Sequence, residues 1–436
     1  MKSVEIRFLN HASLLVAIEG CKILFDPWLE GYCFGEGWGL EFDHPKALEE
    51  ASQATHLWIS HFHEDHFHIP TLKKLVELNP HLSVLANDSH NFSLVGPMKN
   101  LGFQNVTPFH ERQAVNLNER LQVMRYPTTG IDNMLVVTTP DFNILNFNDC
   151  NIPDSACQKL SQKIGRVDIM MTNFNTAGKV LKFPYPMAAD MKVELKTLFL
   201  DRIEKFNPEF VIPFASQHYY RAIESQAQNE WRLSIADVAG FDERVVPIEV
   251  GGRAQFVAGE KPLVFKADHA VLRHEMDLLT HNKSYSLDEL EKEFASFRER
   301  IIRAFFGCAF LFPSFKLVLS DLNLCVEVSL KNGLREVADL SAAPVSAHSE
   351  SVYHWFRKPY GSSQLIIGAH FGLESAHLSS LRRLVLAALL TEAKLGLRDL
   401  TLCLFSASGL RFLWNRREEI LALLLSRKLV VASGRR

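Results

Sequence analysis

The chain has 436 residues and a formal net charge of −3, from 47 basic and 50 acidic side chains. This length exceeds what one compact hydrophobic core usually spans, so we expect two domains. With 47% hydrophobic and 22% charged residues, the composition is that of a soluble globular protein and excludes disordered, collagen-like and coiled-coil chains. The balance of charge provides no basic surface for nucleic acid, and we expect no nucleic-acid partner.

The cysteines and the apolar segments bear on where the protein is located. The seven cysteines are dispersed without a C-x-x-C pair, which is typical of reduced thiols. The start of the chain carries Glu5 and Arg7 before any apolar run develops, so it does not resemble a signal peptide. The apolar stretch 384–390 is too short to cross a bilayer. The sequence therefore predicts a cytoplasmic protein without a membrane span.

In chain order, the first half alternates predicted strands with turns and helices. Strands are predicted over residues 4–8, 13–19, 22–25, 56–60, 83–86, 121–125, 134–138, 143–146, 169–172 and 210–212. The glycine-rich aromatic stretch 28–39 is predicted to be a loop. A helix is expected to begin near Pro70, capped by His68, because leucines follow at helical spacing up to residue 79. These strand–loop–helix units indicate a layered α/β domain.

The pattern changes after about residue 258. Ser286 and Glu289 predict a capping box before an amphipathic helix with the apolar stripe Leu290, Phe294, Phe297, Ile301 and Phe305. A strand is predicted at 365–367, and leucine-rich helices are predicted around 380–396 and 418–426. We therefore divide the chain into a first domain, 1–260, and a smaller α+β domain, 261–436.

Four histidines and two acidic residues lie within residues 61–68, between a predicted strand and a predicted helix. A single histidine is most often a satisfied surface or core residue, but this density at the end of a strand predicts a metal site. In a tight loop, His61 and His63 would bind one ion, and Asp65 and His66 a second. Imidazole and carboxylate ligands suit Zn, Fe, Mn or Ni without selecting among them. Two such ions can polarise a substrate oxygen, activate a water or bind O₂.

The order His61-x-His63-x-Asp65-His66 is the H-x-H-x-D-H signature of the metallo-β-lactamase superfamily, which this sequence resembles. Over roughly residues 5–250 the chain is similar to the catalytic region of the CMP-N-acetylneuraminate hydroxylases. The matching stretches are 25–29, 59–66, 70–75, 148–150 and 213–215. The resemblance implies an α/β fold, an αββα sandwich that carries two metal ions. No C-x-H partnered by C-x-x-H is present, so we expect no Rieske iron–sulfur domain.

The resemblance implies further site residues. Asp149 matches the aspartate that bridges the two ions, with an Asx-type turn as the alternative. His218 matches the last histidine of the superfamily, and the alternative is a loop histidine that stacks on Tyr219 or Tyr220. His11 lies where the family places a polar residue near the metals, although it could instead bond the backbone of the Trp28 loop. We predict Asp65 and His11 as the catalytic side chains.

The superfamily's third histidine for the first metal is missing, because the loop 126–133 contains none. Either Asp132 takes its place or the first metal lacks one ligand. A carboxylate there adds negative charge and a hard oxygen donor, which favours iron over zinc. The arrangement resembles that of the diiron β-hydroxylases of the same superfamily. The aromatic residues of the 28–39 stretch, Trp28, Tyr32, Phe34 and Trp38, either line a substrate pocket or serve packing alone.

Three functions follow from these residues and the resemblance. The favoured one is a dinuclear-iron monooxygenase that uses O₂ and an external electron donor, such as a separate reductase or ferredoxin. Its substrate would be a small or carrier-bound biosynthetic molecule. The alternative is a Zn- or Mn-dependent hydrolase of a lactone, phosphodiester or thioester that acts through metal-bound hydroxide. The third is a non-enzymatic member with a structural metal site. The second domain resembles sterol-carrier modules, which implies lipid, acyl-carrier or homodimer contacts.

Overall fold

The computed structural model describes residues 3–128, 131–338 and 343–417. The strands of the first half are β1 (Ser3–Asn10), β2 (Ser13–Ile18), β3 (Cys21–Phe25), β4 (Tyr32–Cys33), β5 (Trp38–Leu40), β6 (Phe42–Asp43), β7 (His56–Trp58), β8 (Ser83–Asp88), β9 (Asn105–His110), β10 (Ala114–Asn116), β11 (Gln122–Pro127), β12 (Asn133–Thr138), β13 (Asn143–Asn148), β14 (Ile169–Thr172), β15 (Phe210–Pro213), β16 (His218–Tyr220), β17 (Arg253–Val257), β18 (Leu263–Phe265) and β19 (Leu272–Arg273). Its helices are α1 (Ala47–Ser52), α2 (Ile69–Leu78), α3 (Val95–Asn100), α4 (Asp154–Ile164), α5 (Ala188–Phe206) and α6 (Ile235–Ala239), with a 3₁₀ helix at Ile223–Trp231.

The second half begins with α7 (Leu287–Ala304), which is followed by a 3₁₀ turn at Ala309–Leu311. Its remaining elements are β20 (Phe315–Leu319), β21 (Leu324–Ser329), β22 (Gly333–Glu336), β23 (Val345–Ala347), α8 (Ser349–Arg357), α9 (Gly361–Ile367), β24 (Gly372–Leu373), α10 (Ser379–Glu392), α11 (Leu397–Cys403) and α12 (Ala407–Asn415). Among the described helices, none is both long enough and apolar enough to cross a bilayer.

Two large sheets face each other in the first half. One has the order β18-β17-β1-β2-β3-β7-β8-β9 and the other the order β10-β11-β12-β13-β14-β15. The core between them contains Phe8 and Trp58 from the first sheet and Leu135 and Ile212 from the second. Helices cover the outer faces: α2 packs on the first sheet in one apolar cluster, and α5 packs on the second in another. The αββα sandwich predicted from the sequence is confirmed.

The parallel strands bring several loops to one edge of the sandwich. Strands β3, β7 and β8 are parallel neighbours in the first sheet, and β13, β14 and β15 are parallel neighbours in the second. Their carboxyl ends lead into the turn at Asp26, the segment 61–68 after β7, Asp149 after β13 and the segment before His218. We call residues 61–68 the histidine loop. Side chains far apart in sequence therefore meet at this edge.

The stretch 28–39, predicted as a loop, contains two short strands, so that prediction was wrong in part. Strand β5 pairs with both β4 and β16 in a small antiparallel sheet. In the pairing with β16, Leu40 lies opposite His218 and Trp38 opposite Tyr220. The partner strand is distant in sequence, so the local glycine-rich composition did not reveal this pairing. The small sheet places Trp38 and His218 beside the histidine loop.

The second half contains a five-stranded sheet of order β22-β21-β20-β23-β24 with helices packed on it. The predicted capping box is present, since the Ser286 side chain accepts from Glu289 N–H and Glu289 accepts from Ser286 N–H. Strands β18 and β19, which follow residue 260, pair with β17 and β6. The division at residue 260 stays a prediction, and the helix predicted around 418–426 lies outside the described residues.

The strand predicted at 365–367 is wrong, because these residues belong to α9. The carboxylate of Glu392 accepts hydrogen bonds from the backbone N–H groups of Ser362 and Ser363, at 2.7 and 3.0 Å. These N–H groups lie in the first turn of a helix, where they have no partner within the helix. A carboxylate at this end also interacts favourably with the helix dipole. The contact comes from 30 and 29 residues away, so the apolar run alone could not indicate it.

Candidate metal centre

The histidine loop begins directly after β7, and two buried side chains orient its rings. The Asp26 carboxylate accepts from Ser60 N–H at 2.7 Å and lies 3.1 Å from His66 Nδ1. Ser60 Oγ lies 2.9 Å from His61 Nδ1 and 3.3 Å from His66 Nδ1. Because their Nδ1 atoms are engaged in this way, both rings can present Nε2 to a ligand, an arrangement typical of metal-binding histidines.

The first group of donor atoms forms around His61. Its Nε2 lies 2.8 Å from His63 Nδ1 and 3.7 Å from Asp132 Oδ1. Burial lowers the pKa of His61 and of His63 to about 4, so both rings are neutral near pH 7 and can offer lone pairs. His61 Nε2 thus has one imidazole nitrogen and one carboxylate oxygen beside it, and the ligand atoms that lie within 4.8 Å of one another here are those of His61, His63 and Asp65.

The second group forms around Asp65 and His66. Asp65 Oδ2 lies 3.0 Å from His66 Nε2 and 3.1 Å from His11 Nε2. Asp149 Oδ2 lies 3.5 Å from His66 Nε2. Ligand atoms of His61, His66 and Asp149 also lie within 4.8 Å of one another. Asp149 thus lies near one histidine of each group, and its role as a bridging carboxylate stays a prediction.

The electrostatics of this cluster suit cations. Burial raises the pKa of Asp132 to about 7, and the neighbouring Asp149 contributes to that rise. Burial also opposes ionisation of Asp149, but His66 and His61 together hold its pKa below the ordinary value. Several acidic groups therefore share a buried space in which imidazole supplies the compensating charge. Divalent ions would compensate that charge more completely.

His218 lies near this centre but not within either donor group. It is buried, its ring stacks on Trp38 with centroids 3.6 Å apart, and it lies 5.2 Å from the His11 ring. Neither ring nitrogen has a hydrogen-bond partner among the described residues, and the same holds for Asp149 Oδ1. Unpartnered buried polar atoms at this place fit metal ligation. Because His218 lies in neither donor group, its role as a ligand stays a prediction.

Residues 5–215 match the family model described as "Beta-lactamase superfamily domain". This part of the chain is a beta-lactamase superfamily domain. The finding agrees with the resemblance inferred from the H-x-H-x-D-H signature, and the fold around it is the metallo-β-lactamase fold.

Among curated relatives of the superfamily domain, the Homo sapiens inactive cytidine monophosphate-N-acetylneuraminic acid hydroxylase is 30% identical over 233 residues. That alignment covers 49% of this chain and 44% of the relative. The Mus musculus cytidine monophosphate-N-acetylneuraminic acid hydroxylase is 31% identical over 188 residues, covering 42% of this chain and 31% of the relative. The chain thus spans less than half the length of these relatives.

The solved structures that resemble this chain in part include a hydroxylase and a hydrolase. CmlA, a diiron beta-hydroxylase from Streptomyces venezuelae, has a TM-score of 0.37 at 18% identity, covering 49% of this chain and 44% of that one. The isothiocyanate hydrolase from Delia radicum gut bacteria has a TM-score of 0.44 at 15% identity, covering 60% of this chain and 100% of that one.

Aromatic side chains lie beside the candidate metal centre of the superfamily domain. Trp28, Phe34 and Trp38 are buried, and Phe34 lies 6.0 Å from the His63 ring between centroids. Tyr32, by contrast, is exposed and packs under the Arg221 guanidinium at 3.5 Å. Three of the four aromatic residues named from the sequence are therefore buried beside the candidate metal ligands.

Sequence reasoning missed two groups that support the site. Asp26 orients His66 and also accepts from the Asn148 amide at 2.8 Å. Its signal was the Asp-Pro pair directly after β3, which lies within a stretch already matched to the family. Glu64 lies between the predicted ligands His63 and Asp65. Its carboxylate accepts from Phe34 N–H and from the Gln364 amide.

Glu64 thus ties the histidine loop to α9 of the second half. We expect Glu64→Ala to lower the free energy of unfolding by about 1–3 kcal/mol, because two partly buried donors lose their acceptor. Glu77→Ala, an exposed change on α2, is the matched control and should leave stability within about 0.5 kcal/mol of wild type. Urea denaturation measures both, and equal midpoints for the two variants would mean that the Glu64 contacts contribute no stability.

On the other side of Phe34 lies a cavity of about 200 Å³. Gly35 and Glu36 line it from the first half, and His354, Gln364 and His370 line it from the second. His370 Nε2 lies 2.6 Å from the Phe34 carbonyl oxygen, so a hydrogen bond links the lining of the cavity to Phe34.

Proposed function

We propose that the chain is a dinuclear-iron oxygenase that hydroxylates a small or carrier-tethered substrate. The supporting observation is the carboxylate of Asp132 beside His61, at 3.7 Å from Nε2. With His63, it makes the first donor group two imidazoles and one carboxylate. Such a group is harder and more negative than three histidines, and it suits iron better than zinc.

The residues that would hold the ions are those already described. His61, His63 and Asp132 would bind the first ion, and Asp65 and His66 the second. Asp149 would bridge the two ions. His218, whose two ring nitrogens are buried without a hydrogen-bond partner among the described residues, would complete the second set. Bound iron supplies the capacity to bind and reduce O₂, which no amino-acid side chain has.

The protein's own part is orientation and exclusion of water. Asp26 and Ser60 hold the rings of His61 and His66, which keeps their Nε2 atoms on the ligand side. The buried indoles of Trp28 and Trp38 keep bulk water away from that side. A dry site of this kind strengthens each electrostatic contact within it.

The reaction converts a C–H bond to C–OH. It consumes one O₂, two electrons and two protons, and it releases one water. The electrons would come from a separate reductase or ferredoxin. His11, whose Nε2 lies 3.1 Å from Asp65 Oδ2, is the candidate proton carrier of the site. Burial lowers the pKa of His11, which leaves the ring neutral and able to accept a proton.

A hydrolase is the second candidate, and the position of Asp149 favours it. A carboxylate at this place would also help to hold two Zn or Mn ions, which would supply the Lewis acidity needed to hydrolyse a lactone, phosphodiester or thioester. In that case the same ligands would hold Zn or Mn, and no electron donor would be needed.

The two functions are separated by reactivity toward O₂. The metal-free protein is loaded with Fe²⁺ without oxygen and then mixed with air-saturated buffer in an oxygen electrode cell. The oxygenase predicts O₂ uptake in proportion to the reduced iron that the protein holds, whereas Zn²⁺-loaded protein takes up none. Absence of uptake by the iron form, together with turnover of ester or lactone probes by the Zn²⁺ form, would establish the hydrolase instead.

A further inference from the structure

A second cluster of metal-ligating side chains lies outside the metal centre. It consists of His44 after β6, Glu50 on α1 and His269 in the connection between β18 and β19. One ligand atom of each lies within 4.8 Å of those of the other two. Three separate segments therefore bring two imidazoles and one carboxylate to the same point.

The orientation of both rings matches that of metal ligands. His44 Nδ1 donates to the Leu9 carbonyl oxygen at 2.9 Å, and His269 Nδ1 donates to the Asp268 carboxylate at 2.7 Å. The Nε2 atoms of both rings are buried and have no hydrogen-bond partner among the described residues. Metal-binding histidines commonly donate their second ring N–H to a carbonyl or carboxylate in this way.

The cluster is enclosed, which argues against a chance meeting of surface residues. The His44 side chain is fully buried, and the His269 side chain is 10% exposed. Their rings are nearly parallel, at 9°, with centroids 4.8 Å apart. Leaving two imidazole nitrogens unpartnered in such a place is costly unless something binds them.

The carboxylate is divided between two partners. Glu50 Oε2 lies 3.7 Å from the Arg7 guanidinium, and Oε1 lies 3.8 Å from His44 Nε2. Two ligands on one tetrahedral zinc ion are separated by about 3.3 Å when each bond is about 2.0–2.1 Å. The observed separation is within about 0.5 Å of that value, so a small movement brings both atoms to one ion.

The charge of the cluster also favours a bound cation. Burial lowers the pKa of His44, which leaves its ring neutral near pH 7 and able to act as a ligand. Burial also raises the pKa of Glu50, although the neighbouring Arg7, His269 and Lys46 oppose that rise. A divalent cation would bind the free lone pairs and compensate the carboxylate at once.

We propose that His44, Glu50 and His269 bind one Zn²⁺ ion in a structural site separate from the dinuclear centre. Two imidazoles and one carboxylate form a borderline-soft set that suits zinc, with water in the fourth position. The connection between β18 and β19 contains His269. A bound ion would link this connection to α1 and to the residue that follows β6. The proposal does not depend on the function proposed for the dinuclear centre.

The test counts zinc equivalents in the full chain. Metal-free wild type, His269→Gln, His44→Gln/His269→Gln and the control His81→Gln are titrated with Zn²⁺ against a chromophoric chelator. His81 is exposed and belongs to no group of metal-ligating side chains among the described residues, so its variant should bind as many ions as wild type. We expect the single and the double variant to lose the same one equivalent. Equal zinc content and affinity in wild type and both variants would overturn the proposal.

A second readout does not depend on stoichiometry. Limited proteolysis between residues 258 and 271 is measured with and without Zn²⁺ in wild type and in His269→Gln. Zinc should lower the rate of cleavage in the wild type at least several-fold and leave the rate in the variant unchanged. The reason is that the ion can hold this segment in place only when His269 is present. Cleavage of the wild type at the same rate with and without zinc would contradict the proposed site. Circular dichroism of His269→Gln checks that the variant is folded.

Discussion

His63→Ala is expected to remove the first metal ion and to reduce the proposed O₂ reaction at least about 100-fold. His63 Nδ1 lies 2.8 Å from His61 Nε2, and the truncation leaves the first ion without one of its two imidazole ligands. Removing a residue that only supports a metal ligand typically lowers metal affinity or activity about 10–100-fold, and removing a ligand itself lowers them further. Metal analysis of the purified variant and oxygen uptake by its iron form measure the two effects.

The control for this change is His81→Ala, which removes an exposed imidazole outside the site. It should keep wild-type metal content and oxygen uptake. If His63→Ala keeps the full metal content and full uptake as well, His63 is not a ligand, and the first donor group is wrongly assigned.

Asp132→His is expected to shift the first donor group toward zinc. The change replaces a carboxylate 3.7 Å from His61 Nε2 with an imidazole, which removes negative charge and a hard oxygen donor. We expect the preference for Fe²⁺ over Zn²⁺ to fall by about tenfold or more, which is a change of about 1.4 kcal/mol in relative binding free energy. Oxygen uptake by the iron form should fall with it, whereas the number of ions bound should stay the same.

Competition between Fe²⁺ and Zn²⁺ under anaerobic conditions measures this preference. Asp141→His is the matched control, because Asp141 lies in a turn between β12 and β13 and pairs with Arg120 at 3.3 Å. An unchanged Fe²⁺/Zn²⁺ preference in Asp132→His would show that this carboxylate does not select the metal. The case for the oxygenase would then lose its main support.

Local patterns predicted much of the fold. The strands of the sandwich have clear apolar segments between turn residues, and every strand predicted in the first half overlaps one that the structure contains. The cap of α2 was also predictable, since His68 accepts from Thr71 N–H within one turn. The histidine loop could be interpreted for the same reason, because its donors lie within one short segment.

Contacts between distant segments could not be predicted in the same way. His218 stacks on Trp38 because β5 pairs with β16, and neither strand has a strong pattern of its own. Glu64 meets Gln364 across 300 residues of sequence. The second cluster was missed because His44, Glu50 and His269 are isolated polar residues whose convergence requires the fold. Such residues carry no local spacing from which a ligand set can be inferred.

The central claim is that two iron ions bind where His61, His63, Asp65, His66, Asp132 and Asp149 converge. Its most direct test is metal analysis of protein purified from iron-supplemented cells, combined with the optical spectrum of the same sample. To exclude the second cluster, the measurement is made on the His269→Gln variant. The account predicts about two iron ions per chain and a near-ultraviolet band of an oxygen-bridged iron pair. Two zinc ions in a colourless protein would contradict it.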